Sequence, residues 1–187
     1  MKEFELKGEL RQEFGKKAAK ALRKQDLVPC NLYGAGENVT FTVNVNEVRK
    51  LIYTPDTQLV NLTVGKQKCQ AVVKELQFHP VSERLLHIDF LQVAADKPVT
   101  VEIPVQLEGH AEGVKAGGKL QLFTRKLKVK ALPKHLPDRI VVDVTPLGLG
   151  KKLQVADLHF DNLEIVNGKT QIVAQVKATR QSAQAAE

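Results

Sequence analysis

Polar and apolar residues alternate over most of this chain with a period of two. The cleanest case is VTFTVNV at 39–45, where successive side chains fall on opposite faces of an extended strand. Phe4, Leu6 and Leu10 mark an opening strand over 4–10. LVNLTV and CQAVVK flank GKQK at 65–68, the signature of a β-hairpin. Two further strands are expected at 76–79 and 84–91, around His79-Pro80. The period changes to that of a helix in two places. GKKAAKALRKQ at 15–25 sets Lys16, Lys20 and Arg23 at i, i+4 and i+7 as one cationic stripe, with Ala18, Ala21 and Leu22 towards a small core. That helix must stop before Pro29, because Val28 is driven towards extended geometry. NEVRKLIY at 46–53 predicts a second, short helix with Asn46 as its cap.

From Ala94 to Pro98 the pattern breaks, and almost everything beyond it is strand: 99–107, 120–131, 139–145, 153–160 and 171–178. Pro104, Pro133, Pro137, Pro146 and the Gly117-Gly118 pair punctuate these runs, as in an all-β fold with edges and tight turns. The fold class is therefore mainly β. Residues 1–94 form a small β-barrel or α+β domain, 95–180 an all-β domain, and 181–187 a polar tail expected to be disordered.

Charge adds a partner class. Lys and Arg number 28 against 21 acidic residues in 187, a net charge of +7, which favours an anionic partner. The excess is concentrated: residues 7–24 carry seven basic and two acidic side chains, and residues 115–134 carry seven basic and none acidic. In the second stretch Lys126, Lys128 and Lys130 alternate with Leu127, Val129 and Ala131. Two readings stay open there, an edge strand guarded by lysines against aggregation and an electrostatic contact with RNA or a protein. With no Trp and nine aromatic residues, an aromatic-rich platform for single strands is disfavoured. The charged N-terminus lacks the apolar run of a signal peptide, and no stretch reaches the roughly 20 apolar residues of a membrane span. Cys30 and Cys69 are too few for a disulfide framework. A cytoplasmic protein with no membrane partner is expected.

Catalytic signatures are missing. GLGKK at 148–152 lacks the upstream glycine spacing and the Ser or Thr of a phosphate loop, and YGAGE at 33–37 is a turn leading into a strand. The sequence points to no enzyme, no cofactor and no small-molecule substrate. One stretch still needs an explanation: in LLHIDF at 85–90, Leu86, Ile88 and Phe90 share one strand face, and His87 and Asp89 share the other. A metal site, a proton-transfer pair, a hydrogen-bonding platform and a solvated face all fit that spacing. A zinc site would want four placed ligands, and only His79, His87, Asp89 and a distant Cys are near in sequence.

Several motifs occur together. Arg11, Gly15-Lys16, Leu22-Arg23, Pro29 and Tyr33-Gly34 precede His79-Pro80 and His87-Ile88-Asp89-Phe90. EGVKAGGKL at 112–120, ALPKHLPDRIVVDVTPLGLG at 131–150 and VADL at 155–158 follow. In this combination the chain resembles the long, two-domain members of the bacterial large-subunit ribosomal protein family that binds 5S ribosomal RNA and includes the general stress protein Ctc. Five positions depart from the family pattern: Ala19 stands where some members have a Ser, Lys20 in place of an Arg, Asp26 of a Gly, and Cys30-Asn31 of a small-apolar pair. Lys20 keeps the charge but lacks the planar fork of Arg.

The resemblance implies an N-terminal six-stranded β-barrel with short helices, like the anticodon-binding barrels of some aminoacyl-tRNA synthetases. That barrel would sit on a helical, loop-containing part of 5S rRNA in the large ribosomal subunit. The C-terminal β domain would meet the ribosome's periphery, neighbouring ribosomal proteins included. On this reading Arg11, Lys16, Lys20 and Arg23 hold phosphates. Tyr33 stacks on a sugar or base, donates its hydroxyl, or serves as an edge aromatic of the core. His87 donates to the RNA or orients Asp89, and Asp89 accepts from a base edge or a 2′-hydroxyl. His79 shapes a turn. Two rivals keep the basic surface: an RNA-binding stress protein acting off the ribosome on tRNA or as a chaperone, and a protein-interaction module.

Overall fold

The computed structural model describes residues 2–34, 38–65, 67–94, 96–160 and 162–179. The tail expected at 181–187 and the centre of the turn at 33–37 lie outside the described residues. The chain packs as two compact units, one running to Val101 and including Leu132–Leu136, the other formed by Glu102–Ala131 and the chain from Pro137 on.

The first unit contains β1 (Lys2–Leu10), α1 (Lys16–Lys24), β2 (Leu27–Tyr33), β3 (Val39–Asn44), α2 (Val45–Tyr53), β4 (Gln58–Val64), β5 (Gln67–Phe78) and β6 (Leu85–Gln92). The six strands close into a barrel in the order β1-β3-β2-β6-β5-β4. β1 and β4 run parallel, as do β2 and β6, and the other seams are antiparallel. Closure removes every open edge, so no strand of the barrel offers unpaired backbone to another chain. Inward positions fill the barrel with Leu6, Cys30, Leu32, Phe41, Val43, Leu62, Ile88 and Phe90, and α2 adds Val48 and Leu51 to the same core. Each such large side chain contributes about 1.5–3 kcal/mol of burial. Phe41 and Phe90 meet at 5.7 Å between ring centroids. Gly8 faces Phe41 so closely that a Cβ there would lie 2.4 Å from the ring.

Several local expectations change. β2 was not foreseen from the alternation, because Pro29 and Asn31 interrupt it. Its ladder to β6 begins only at Cys30, so the ring without an N–H precedes that seam. The strands expected at 69–74 and 76–79 are one strand, β5, interrupted by an unpaired Lys74 between the pairs Val73–Phe90 and Glu75–Asp89. A second irregularity skips Leu86, so Leu85 rather than Leu86 enters the core cluster, and Leu86 is half-buried. The cap of α2 is Asn44, whose side chain accepts from the Asn46 N–H at 2.9 Å.

β7 (Val99–Glu108) starts at the end of the first unit and continues into the second, which also contains α3 (Glu112–Lys115), β8 (Lys119–Leu122), β9 (Lys126–Ala131), β10 (Ile140–Asp143), β11 (Lys152–Gln154), β12 (Glu164–Ile165) and β13 (Ile172–Lys177). Its sheets are four-stranded, β10-β7-β9-β12, and three-stranded, β11-β13-β8. The single strand expected over 120–131 is broken at Phe123–Arg125 into β8 and β9, which join different sheets. β9 is an interior strand, so its lysines guard no edge. Lys128 approaches Glu102 at 3.9 Å and Lys130 approaches Glu164 at 3.6 Å across the neighbouring strands. The expected strand at 153–160 ends at Gln154, where a 3₁₀ turn over Val155–Asp157 begins, capped by Asp157 accepting from the Gln154 N–H.

Candidate nucleic-acid interface

Strand alternation sends Ile88 and Phe90 into the barrel and His87 and Asp89 out of it. Register then decides what stands beside them. Asn31 lies opposite both Thr40 and Asp89, and Asp89 lies opposite Glu75. The Arg11 N–H donates to the Thr40 carbonyl at 3.1 Å, which extends the row by one strand. Arg11, Thr40, Asn31, Asp89 and Glu75 thus form one polar line across five neighbouring strands, with Tyr33 two positions further along β2 and His87 two positions back along β6.

Arg11, Thr40, Asn31 and Asp89 are half-buried and Glu75 is exposed, and two atoms of the line have no hydrogen-bond partner among the described residues. The side chains of His87 and Asp89 are only 19% and 24% exposed. His87 Nδ1 stands 2.9 Å from Asp89 Oδ1, yet the pair is not aligned as a hydrogen bond, and this oxygen has no donor among the described residues. Arg11 Nε is buried without an acceptor in the same way. The rest of that guanidinium is held in place: Nη2 donates to the Glu13 carbonyl at 3.2 Å, and the group lies 5.4 Å from the centroid of the exposed Phe14 ring. Shielded polar groups without partners are costly, and an external ligand offering both a donor and an acceptor would relieve that cost. Burial, with the carboxylates of Asp89 and Glu75, pushes the Tyr33 phenol up, so its hydroxyl keeps its proton and can donate.

Helix α1 packs on the neighbouring part of β2. Its sequence KKAAKALRK carries five cations and no acid, and Gly15 caps it at φ 98° without a side-chain hydrogen bond. With no carboxylate in the first turn, the positive end of the helix and the lysines face outward together. Ala18, Ala19, Leu22 and Arg23 are half-buried, whereas Lys16, Lys17, Lys20, Ala21 and Lys24 are exposed. Arg23 therefore leaves the stripe in which the sequence placed it. Its Nε donates to the Leu86 carbonyl at 3.1 Å, where the irregularity in β6 leaves that backbone group available. Ala21, expected inside, is replaced there by Ala19. The exposed cationic face is Lys16, Lys17, Lys20 and Lys24.

Of the seven residues singled out from sequence, Arg11, Tyr33, His87 and Asp89 gather on the barrel face, Lys16 and Lys20 on the open face of α1, and Arg23 anchors the helix to β6. Sequence reasoning missed Asn31, Thr40 and Glu75, whose place follows from register alone, and gave Lys24 no role. His79 Nδ1 accepts from the N–H groups of Val81 and Ser82 at 3.3 and 3.1 Å, as a turn-shaping residue does. No group of three or more potential metal ligands occurs among the described residues, and none of their helices is long and apolar enough to cross a membrane.

Comparison with known proteins adds an independent line. The model of the Ribosomal L25p family matches residues 6–90, and that of Ribosomal protein TL5, C-terminal domain, matches residues 98–180. The large ribosomal subunit protein bL25 of Porphyromonas gingivalis is 57% identical over 182 residues, covering 96% of this chain and 95% of that protein. The protein of the same name from Azobacteroides pseudotrichonymphae is 54% identical over 181 residues, covering 96% of each. That from Bacteroides thetaiotaomicron is 48% identical over 185 residues, covering 96% of this chain and 94% of its own.

Proposed function

The chain belongs to the ribosomal L25p family, and from that membership we propose that it is a structural protein of the large ribosomal subunit whose barrel unit binds 5S rRNA. The observation that carries the RNA reading is the juxtaposition on one barrel of an acid-free cationic helix and a polar row in which two buried atoms, Arg11 Nε and Asp89 Oδ1, have no hydrogen-bond partner among the described residues. The two parts do different work. Lys16, Lys17, Lys20 and Lys24 bind phosphates and set register, while Arg11, Asn31, Tyr33, His87 and Asp89 read what lies between the strands of the RNA.

Asp89 explains why attraction alone is not the purpose of this face. A carboxylate repels phosphate and is useful at an RNA surface only as an acceptor, from a base amino group or a 2′-hydroxyl. A-form RNA offers both in its wide, shallow minor groove, where the short side chains of a strand face can reach them. The helix suits the other groove where non-Watson–Crick pairs widen it. The second unit contributes a contact at the periphery of the subunit.

Binding of the full chain to 5S rRNA and to tRNA across a salt series tests the proposal, together with co-sedimentation with large subunits in stringent salt. A preference for 5S rRNA that survives as salt rises, with retention on the subunit, is the expected result. Equal, salt-labile binding to both RNAs would leave only a basic surface acting off the ribosome.

A further inference from the structure

We infer that the barrel unit holds a second RNA subsite, a pocket for one unstacked nucleotide, between α1, α2 and the segment joining β5 to β6. This rests on the reading that the barrel unit binds RNA. A groove of about 640 Å³ opens between α1, α2 and the segment joining β5 to β6, within the range of sites that take small organic ligands. Its floor is apolar, built from Leu27, Val45, Ile52 and Leu86. Two aromatic rings line it while remaining open to solvent, Tyr53 at 70% and Phe78 at 41% exposure. Phe14 and Phe123 are exposed as well, but only Tyr53 and Phe78 line one groove together.

The rim sets the charge of the occupant. Lys20, Arg23, Lys24, Arg49 and Arg84 line the groove against two acids, Asp26 and Glu83. The wall is also organised in advance. His79 Nδ1 holds the backbone of Val81 and Ser82, and Glu83 takes a left-handed conformation at φ 53° to close the turn. An apolar floor, two π faces and a cationic rim together match a base with its attached phosphate better than an acidic peptide, which gains nothing from flat, exposed rings. Lys20 and Lys24 belong both to this rim and to the open face of α1, so one strand of RNA held on the helix can place a splayed nucleotide here.

The chain has no Trp and two Tyr, so a Tyr33→Phe background leaves Tyr53 as the single tyrosine reporter. Titrating this full-length variant with hexaadenylate RNA at about 50 mM salt, we expect saturable quenching of Tyr53 emission as a base stacks on the ring. Phe78→Ala should then weaken hexamer binding about 5- to 150-fold, the equivalent of ~1–3 kcal/mol for one base–aromatic contact. Phe78→Leu, which keeps apolar volume without a π face, should weaken it too and serves if the alanine variant folds poorly. Arg49→Gln with Arg84→Gln should lower both affinity and salt dependence. Emission indifferent to the hexamer, or equal affinity in the Phe78 variants, would overturn the assignment. Displacement of the RNA by hexaglutamate at matching concentration would overturn it in favour of an acidic protein segment. Binding of 5S rRNA against tRNA, measured on the unsubstituted chain, separates the two claims: absence of a 5S preference there refutes the ribosomal reading, and absence of Tyr53 quenching in the Tyr33→Phe chain while the unsubstituted chain prefers 5S rRNA refutes this pocket alone.

Discussion

Replacing Asp89 with Asn separates recognition from attraction. The substitution keeps shape and volume on a side chain that is 24% exposed and whose Oδ1 receives no hydrogen bond from the described residues, so the fold should be nearly indifferent, within about 0.5 kcal/mol. The effect on RNA should be larger. A carboxylate accepting from a base amino group or a 2′-hydroxyl makes charge-assisted hydrogen bonds of about 1.5–3 kcal/mol, against about 0.5–1.5 for a neutral acceptor. Asn keeps an acceptor oxygen and loses the charge assistance, about 1–1.5 kcal/mol, which is roughly a 5- to 13-fold loss of 5S rRNA affinity. Binding to tRNA should stay level or strengthen, because a negative charge has left a cationic surface. The slope of log affinity against log salt should not move, since Asp89 releases no counterion. The assay is fluorescence anisotropy of labelled 5S rRNA and tRNA at several salt concentrations, with a urea melt of each protein to verify folding. Parallel losses for both RNAs, or a 5S preference that survives the change, would refute the readout role and return His87 and Asp89 to an ordinary polar strand face.

Lys20→Ala should weaken 5S rRNA and tRNA alike and lower the salt slope by about one, with no change in the urea midpoint. Arg23→Gln should behave differently, destabilising the barrel by about 1 kcal/mol as the Leu86 carbonyl loses its donor; an unchanged midpoint would show that the anchor contributes nothing. Gly8→Ala places a Cβ 2.4 Å from the buried Phe41 ring and should cost roughly 1–3 kcal/mol, read by thermal or urea unfolding, while Gly150→Ala, with open space but φ 74°, should show only backbone strain. Burial, aided by the Asp89 carboxylate, pushes the Cys30 thiol far above its ordinary value of 9.0. A raised pKa contributes stability that is present below the unfolded-state value and lost as pH rises through it. Alkaline unfolding above about pH 9 should therefore be shallower in Cys30→Ala, whatever that variant's starting stability, and Cys30 should resist thiol reagents in the folded chain at a rate set by unfolding.

Local periodicity determined a good deal of this protein. The alternation at 39–45, the helical spacing at 15–25 and the hairpin around GKQK each depend on side chains a few residues apart, and they have their counterparts in β3, α1 and the β4–β5 pair. The pairing of His87 with Asp89 on the outer face follows from the same rule. What local pattern cannot encode is which strand lies beside which, and that is where the candidate interface is made. Asn31, Thr40 and Glu75 join Asp89 because barrel closure fixes the registers of β2, β3, β5 and β6. β2 is a strand despite Pro29 because both its neighbours pair with it. Arg23 turns from the lysine face to β6 because an irregularity there exposes a carbonyl within its reach, and β9 is interior because β12 arrives from more than thirty residues further along the chain. Local sequence determined most of the barrel's elements and their two faces, since these depend on side chains a few residues apart along the chain. The tertiary structure decided the neighbours, since these are set by closing a sheet on itself.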